Sequence, residues 1–263
     1  MKTSDNGCDF AAMLPTQVMP DSPPPPLSRF APAALFLDFD GTLVELAEAP
    51  GAISVPTGLG PLLDRLSARL EGRLAVVSGR ALEDLQGHLG GSAAVLSGSH
   101  GAELSYSDGR SIPVSAPPGL AEARESIRRF AAGGEGFLVE DKPAGVALHY
   151  RLAPERAEEA DAFLEALAER SGLALQRGKM VVELRPEGSD KGGAVRRLMA
   201  EPPFAGARPV FVGDDLTDED AFRAAVALGG EGVLVGPARP SAARWRLDGV
   251  VDVTDWLKAA AYG

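Results

Sequence analysis

Apolar positions along this chain fall into two textures. The first is a short unbroken run that stops at a polar cluster and gives way to a helical period. Ala34-Leu35-Phe36-Leu37 runs into Asp38-Phe39-Asp40-Gly41, Leu74–Val77 into Ser78-Gly79-Arg80, and Ala94–Leu96 into Gly98-Ser99-His100-Gly101. Unbroken runs of this length ending in polar loops predict strands buried on both faces, as in a parallel sheet with crossover helices. Helices are predicted over residues 61–70 and 81–89. The texture resumes after Pro186, with a helix over 192–199 and a strand over 209–212 that closes on Gly213-Asp214-Asp215. A helix over 218–228 and a strand over 232–235 follow.

The intervening stretch is different. Helices are predicted over 120–130 and 154–170, and short strands over 136–140, 174–176 and 181–184, with Val146, Leu148 and Tyr150 in alternation. Alternation predicts a sheet with one face packed on helices and the other wetted. The expected organisation is therefore an α/β core in two pieces, residues 33–114 and 186–263, with an inserted α+β cap at 115–185. Residues 1–32 carry four consecutive prolines, Pro23 to Pro26. Such a run favours an extended, solvated backbone, so this segment is expected to be a disordered or loosely attached leader.

Composition and charge narrow the chemistry. With 26 Lys and Arg against 37 Asp and Glu, the net charge of −11 argues against nucleic acid and anionic membranes as partners. The single cysteine, Cys8, excludes an internal disulfide framework and a multi-cysteine zinc site, and the three histidines are scattered. No stretch is apolar for long enough to span a bilayer, and the N-terminus lacks the apolar segment of a secretory signal. A cytoplasmic protein acting on a small molecule is the default; nothing sets an oligomeric state, and a monomer is slightly favoured.

In parallel sheets ligands gather beyond the carboxyl ends of the strands, where all the polar clusters fall. Asp38 and Asp40 end one buried strand and Asp214 and Asp215 another. In a turn Asp38 and Asp40 alone are ordinary, and Asp218, Glu219 and Asp220 suit the first turn of a helix capped by Thr217, which leaves Asp214 and Asp215 at the strand terminus unexplained. Side by side, however, the two strand ends concentrate negative charge that calls for a divalent cation, and all-oxygen ligands point to Mg²⁺. The Thr42 hydroxyl, Ser78 and Lys191 supply donors that a phosphate would need in the same place.

These strings resemble the haloacid dehalogenase (HAD) superfamily of phosphatases: DFDGTL at 38–43, VSGR at 77–80, Lys191, and GDD at 213–215. GSHGAEL at 98–104, EDKPAGVALHYR at 140–151, GKMVVELRPEGSDKG at 178–192 and GDDLTDEDAF at 213–222 are similar to its trehalose-6-phosphate phosphatase branch; Ser99 stands where that branch commonly has another small polar residue. The resemblance implies a Rossmann-like parallel-sheet core with an inserted α+β cap. It also implies Mg²⁺-dependent hydrolysis of trehalose 6-phosphate, in trehalose biosynthesis, through an aspartyl phosphate. By similarity Asp38 is the nucleophile and Asp40 the general acid and base, a role that requires its carboxyl to be shielded from water, as a closing cap would do. Mg²⁺ is held by Asp38, the Asp40 carbonyl and Asp214.

Asp215 would stand behind them, orienting Lys191 or a metal-bound water, and Asp218 ranks lower in the same supporting role. Sugar contacts are expected from Arg80, Glu140, Lys142, His149, Arg151, Lys179 and Glu183, first among them Glu140, Lys142 and Glu183; a solvated, charge-paired sheet face would account for the cap residues equally well. His100 reads as a core histidine. Two alternatives remain. One is another phosphatase of the superfamily, acting on a sucrose or mannosylglycerate phosphate. The other is a silent regulatory module, against which the full set Asp38, Asp40, Lys191 and Asp214 speaks.

Overall fold

A computed structural model of the chain describes residues 18–46, 53–89, 91–112, 116–178 and 180–263. Eight strands form the main sheet: β1 (Ala33–Leu37), β2 (Leu74–Val77), β3 (Val95–Gly98), β4 (Glu103–Ser105), β5 (Ser111–Ile112), β10 (Arg208–Gly213), β11 (Glu231–Val235) and β12 (Trp245–Leu247). Their order is β12-β11-β10-β1-β2-β3-β4-β5. All neighbours are parallel except β3–β4 and β4–β5, so the expected parallel sheet carries an antiparallel edge. The chain moves from β1 to one side through β2 and β3, then returns to the other side at β10. That reversal places the switch point between β1 and β10, where a crevice opens beyond the strand ends.

The residues of β1 explain its central place. Every one is buried, and alternate side chains enter different cores. Leu35 and Leu37 join one apolar layer with Leu63, Leu85 and Leu257, under helices α1 (Leu59–Arg69), α2 (Leu82–Leu89) and α7 (Val250–Tyr262). Ala34 and Phe36 join the other with Val195, Phe204, Phe211 and Phe222, under α5 (Lys191–Met199) and α6 (Glu219–Ala227). A strand covered on both faces has no polar side to show, hence the unbroken apolar run.

A second sheet is built wholly from the stretch with alternating texture. Strands β6 (Leu138–Asp141), β7 (Val146–His149), β9 (Val181–Arg185) and β8 (Ala174–Gly178) lie side by side in that order, all antiparallel. One face packs Val146, Leu148, Val182 and Leu184 against α3 (Leu120–Ala132) and α4 (Ala157–Ser171), a core separate from the other two. The opposite face carries Glu140, His149, Glu183 and Arg185.

The expected loose leader is corrected over its described part. A short 3₁₀ helix at Leu27–Phe30 buries Leu27 and Phe30 in the first apolar layer. The Trp256 indole N–H donates to the Pro25 carbonyl at 3.0 Å, the Arg246 N–H to Ser22 at 2.9 Å, and Val18 exchanges backbone hydrogen bonds with Ser241. An extended proline run leaves its carbonyls unpaired, and here α7 and the β12 region supply partners for them. Residues 1–17 lie outside the described residues. Phe30→Ala is expected to lower stability by about 3 kcal/mol, the usual cost of a buried phenyl ring, read from urea unfolding. A loss below about 0.5 kcal/mol would place this segment outside the cooperative unit.

Candidate active site

The centre of the crevice is a buried ion cluster. Asp38 follows β1 directly, its N–H donating to the Val212 carbonyl of β10 at 2.9 Å, which fixes it on the switch-point side. Lys191 opens α5, whose start is set by Asp190: its carboxylate accepts from the Gly193 N–H at 2.6 Å, as an N-cap should. The Lys191 ammonium donates to Asp38 Oδ1 and to Asp218 Oδ1, both at 2.6 Å, and all three side chains are buried. Asp218 Oδ2 accepts from the Asp215 N–H at 2.9 Å, so both its oxygens are engaged.

Asp214 completes the cluster. Carboxylate oxygens of Asp38, Asp214 and Asp218 lie within 4.8 Å of one another. Three carboxylates face one ammonium, and the protonation equilibria respond. Burial, then Asp218 and Asp214, push the Asp38 carboxyl well above its usual range, against the pull of Lys191. Burial and Asp218 raise Asp214 to about 6. Burial opposes the Lys191 charge, but Asp38 and Asp218 outweigh it and hold its pKa above the ordinary lysine value. Asp214 Oδ1 is buried without a hydrogen-bond partner among the described residues, as is Thr42 Oγ1. An orphaned carboxylate oxygen beside an excess of negative charge fits a small hard cation held by Asp38 and Asp214.

The turn after β1 is shaped for this approach. Gly41 has φ +77°, and a Cβ there would lie 2.2 Å from Asp214 Oδ2, so only glycine admits Asp214 to the strand end. Ser78 is buried at the end of β2, and its hydroxyl accepts from the Arg80 N–H at 3.2 Å. Arg80 grips Asp40 through two hydrogen bonds, 2.6 Å and 2.8 Å, and Asp84 through a third at 2.6 Å. Arg80 thus holds the neighbouring carboxylate in place as well as facing the crevice.

The crevice widens into a cleft of about 560 Å³ between the two sheets. Asp40, Arg80, Ser99 and His100 line it from the core, and Glu140, Lys142, Glu183 and Arg185 from the smaller sheet. Lys142 donates to Glu183 at 2.5 Å, and His149 Nε2 lies 2.8 Å from Glu140 Oε2. Burial lowers the pKa of Arg185.

Several sequence expectations change here. Asp218, not Asp215, orients Lys191; Asp215 is exposed and caps the short helix Leu216–Asp218, and the N-cap of the longer helix that follows is Asp218, not Thr217 as expected. The reason is the helical turn, which carries the Asp218 side chain back under the strand end. His149 reaches the cleft only through Glu140. Arg151 is exposed on the turn after β7, away from the cleft lining. Lys179 lies outside the described residues. His100, expected in the core, lines the cleft, and so does Arg185, another charged residue of the alternating strands, on the same face of β9 as Glu183.

A family model described as trehalose-phosphatase matches residues 36–250. The chain is 43% identical over 210 residues to a probable trehalose-phosphate phosphatase of Sinorhizobium fredii, covering 79% of each, and 39% identical over 231 residues to the trehalose-6-phosphate phosphatase of Escherichia coli, covering 86% of this chain and 85% of that one. Among solved structures, trehalose-6-phosphate phosphatase of Aspergillus fumigatus superposes with a TM-score of 0.74 at 26% identity, over 92% of this chain and 99% of that one.

The ion cluster has a thermodynamic signature. A folded-state pKa of about 6 for Asp214, against an ordinary 3.8, means that the folded protein holds this proton better than the unfolded chain. Stability therefore falls as pH rises between those values. In metal-free buffer Asp214→Asn is expected to raise stability by roughly 2 kcal/mol at pH 7.5 and to lose that advantage near pH 3.5. Urea midpoints at the two pH values check this, and an equal effect at both would refute it.

Proposed function

Given that the chain belongs to the trehalose-phosphatase family of phosphoric monoester hydrolases, we infer that it converts trehalose 6-phosphate to trehalose and phosphate at the Asp38 cluster. The observation that supports this most is the juxtaposition of a buried carboxylate–ammonium pair with a cleft walled by charged side chains of a second sheet. A phosphate needs the first and a polyhydroxyl sugar the second.

Lys191 fixes Oδ1 of Asp38, and the other carboxylate oxygen attacks phosphorus. As the new O–P bond forms, the bond to the sugar oxygen breaks, and Asp40 delivers a proton to that oxygen. Water then attacks the aspartyl phosphate, Asp40 takes its proton, and the Asp38 carboxylate is restored as phosphate leaves. Both Asp40 oxygens accept from Arg80 at rest, so one of those bonds yields when the ester oxygen arrives. Thr42, Ser78 and Lys191 donate to phosphoryl oxygens, and Asp218 keeps Lys191 aimed. Asp38, Asp214 and the Asp40 carbonyl would hold Mg²⁺, which offsets charge on the phosphoryl group.

Glu140, Lys142 and Glu183 read the sugar hydroxyls. His149 steadies Glu140, and Arg185 extends the same wall. We divide the chain as core at 33–114 and 186–263 with a cap at 115–185, and place the enzyme in the cytoplasm. Among the described residues no helix is long and apolar enough to cross a membrane.

Purified protein is expected to release phosphate from trehalose 6-phosphate, to lose that activity with chelator and regain it with Mg²⁺. Asp38→Asn should reduce turnover by at least about 10⁴-fold. Comparable kcat/KM on sucrose 6-phosphate or mannosylglycerate phosphate would overturn the substrate while sparing the chemistry. Glu140→Ala should cost about 10- to 100-fold on trehalose 6-phosphate and little on p-nitrophenyl phosphate, which offers no hydroxyls to read; matching losses would remove the cap from substrate choice.

A further inference from the structure

The loop after β3 is strained in a way the chemistry above does not use. Ser99 and His100 both have positive φ, 48° and 54°, followed by Gly101 at 100°. Two consecutive non-glycine residues in that region are strained, and such strain persists only where the surroundings impose it. The surroundings do so. The Ser99 N–H donates to the Arg80 carbonyl at 2.7 Å and the His100 N–H to the Ser78 carbonyl at 2.9 Å. The Ser99 hydroxyl donates to Glu103 Oε1 at 2.8 Å, and Glu103 Oε2 accepts from the Leu82 N–H at 3.1 Å. The loop is thereby locked to the strand end that carries Ser78.

The lock aims one side chain. The His100 ring packs against Gly79, where a Cβ would stand 2.6 Å from Cε1 and 2.7 Å from Nε2. It faces the cleft and makes no side-chain hydrogen bond to a described residue. Burial, reinforced by Lys191, Arg185 and Lys142, lowers its pKa to about 3, so the imidazole is neutral at pH 7. Lysines and arginines of the cleft can only donate, and the carboxylates of Glu140 and Glu183 can only accept. A neutral imidazole does both, as a sugar hydroxyl does.

We propose that His100 is a substrate-positioning residue that hydrogen-bonds a hydroxyl of the sugar ring bearing the phosphate. The ring position follows from place: Gly79 lies between Ser78, at the phosphate, and Arg80, at the general acid, so the sugar unit nearest phosphorus passes over the imidazole. The inference rests on the function proposed above and adds a contact from the core to those from the cap.

His100→Asn and His100→Gly both tolerate left-handed backbone, so they remove the imidazole while keeping the loop. Initial rates of wild type and both variants are measured with trehalose 6-phosphate and with p-nitrophenyl phosphate, alongside thermal unfolding to establish that at least one variant is folded. The expected result is an about tenfold fall in kcat/KM on trehalose 6-phosphate, mainly through KM, with the aryl phosphate within about twofold of wild type. Equal losses on both substrates would make His100 a scaffold for Ser78 and overturn the proposal, as would no loss on either. Wild type that cleaves the aryl phosphate but not trehalose 6-phosphate would overturn the function itself, a separate result visible before any variant is made.

Discussion

One buried ammonium organises this molecule. Lys191 sits buried between Asp38 and Asp218 at 2.6 Å from each. Its own desolvation is expensive, and so is that of its two partners; each is tolerable only because the others are present. The three come from the position just after β1, from the start of α5 and from the turn before α6, so the ion triad joins the end of the first core strand to the segment that returns after the insertion. Packing of α5 and α6 on the Phe36 side of the sheet carries Lys191 and Asp218 to that point. Stability and chemistry are set against each other here: burial and the surplus of carboxylates raise the pKa of Asp38 and Asp214 while leaving an unsatisfied oxygen that invites a cation.

Around that centre the polar groups are held by one another. Asp40 is gripped by Arg80, Lys142 pairs with Glu183, and His149 meets Glu140. Partly exposed pairs of this kind add little to stability. Their effect is orientation, because each keeps a flexible side chain near one geometry at the cleft wall. A ligand rich in hydroxyls can exchange with such pairs without leaving a charge stranded. Left-handed backbone serves the same end. Gly41 allows Asp214 to reach the strand end, and the Ser99–Gly101 loop turns His100 toward the cleft instead of the core.

The architecture was largely legible from pattern. Unbroken apolar runs identified β1, β2, β3, β10 and β11 because strands covered on both faces leave no alternation, and the change to alternation marked the second sheet. The short strands β4, β5 and β12 escaped, since three residues or fewer carry no period. The proline run misled for a local reason: it does favour extended chain, but extended chain can lie along α7 and offer its carbonyls to Trp256 and Arg246.

For the site, the sequence by itself determined the chemistry available: carboxylates at two strand ends, a lysine at a helix start, hydroxyls in the turns. Residue type and distance from a strand end suffice for that, because a parallel sheet brings strand ends to one side. Tertiary structure alone decided the pairings. Asp218 rather than Asp215 meets Lys191 because one helical turn carries it back beneath the sheet. His100 faces the cleft because Ser78 and Arg80 accept from its loop, and Arg151 falls outside because its strand has already ended. Such choices depend on where side chains from distant segments converge in three dimensions, and no local spacing encodes that.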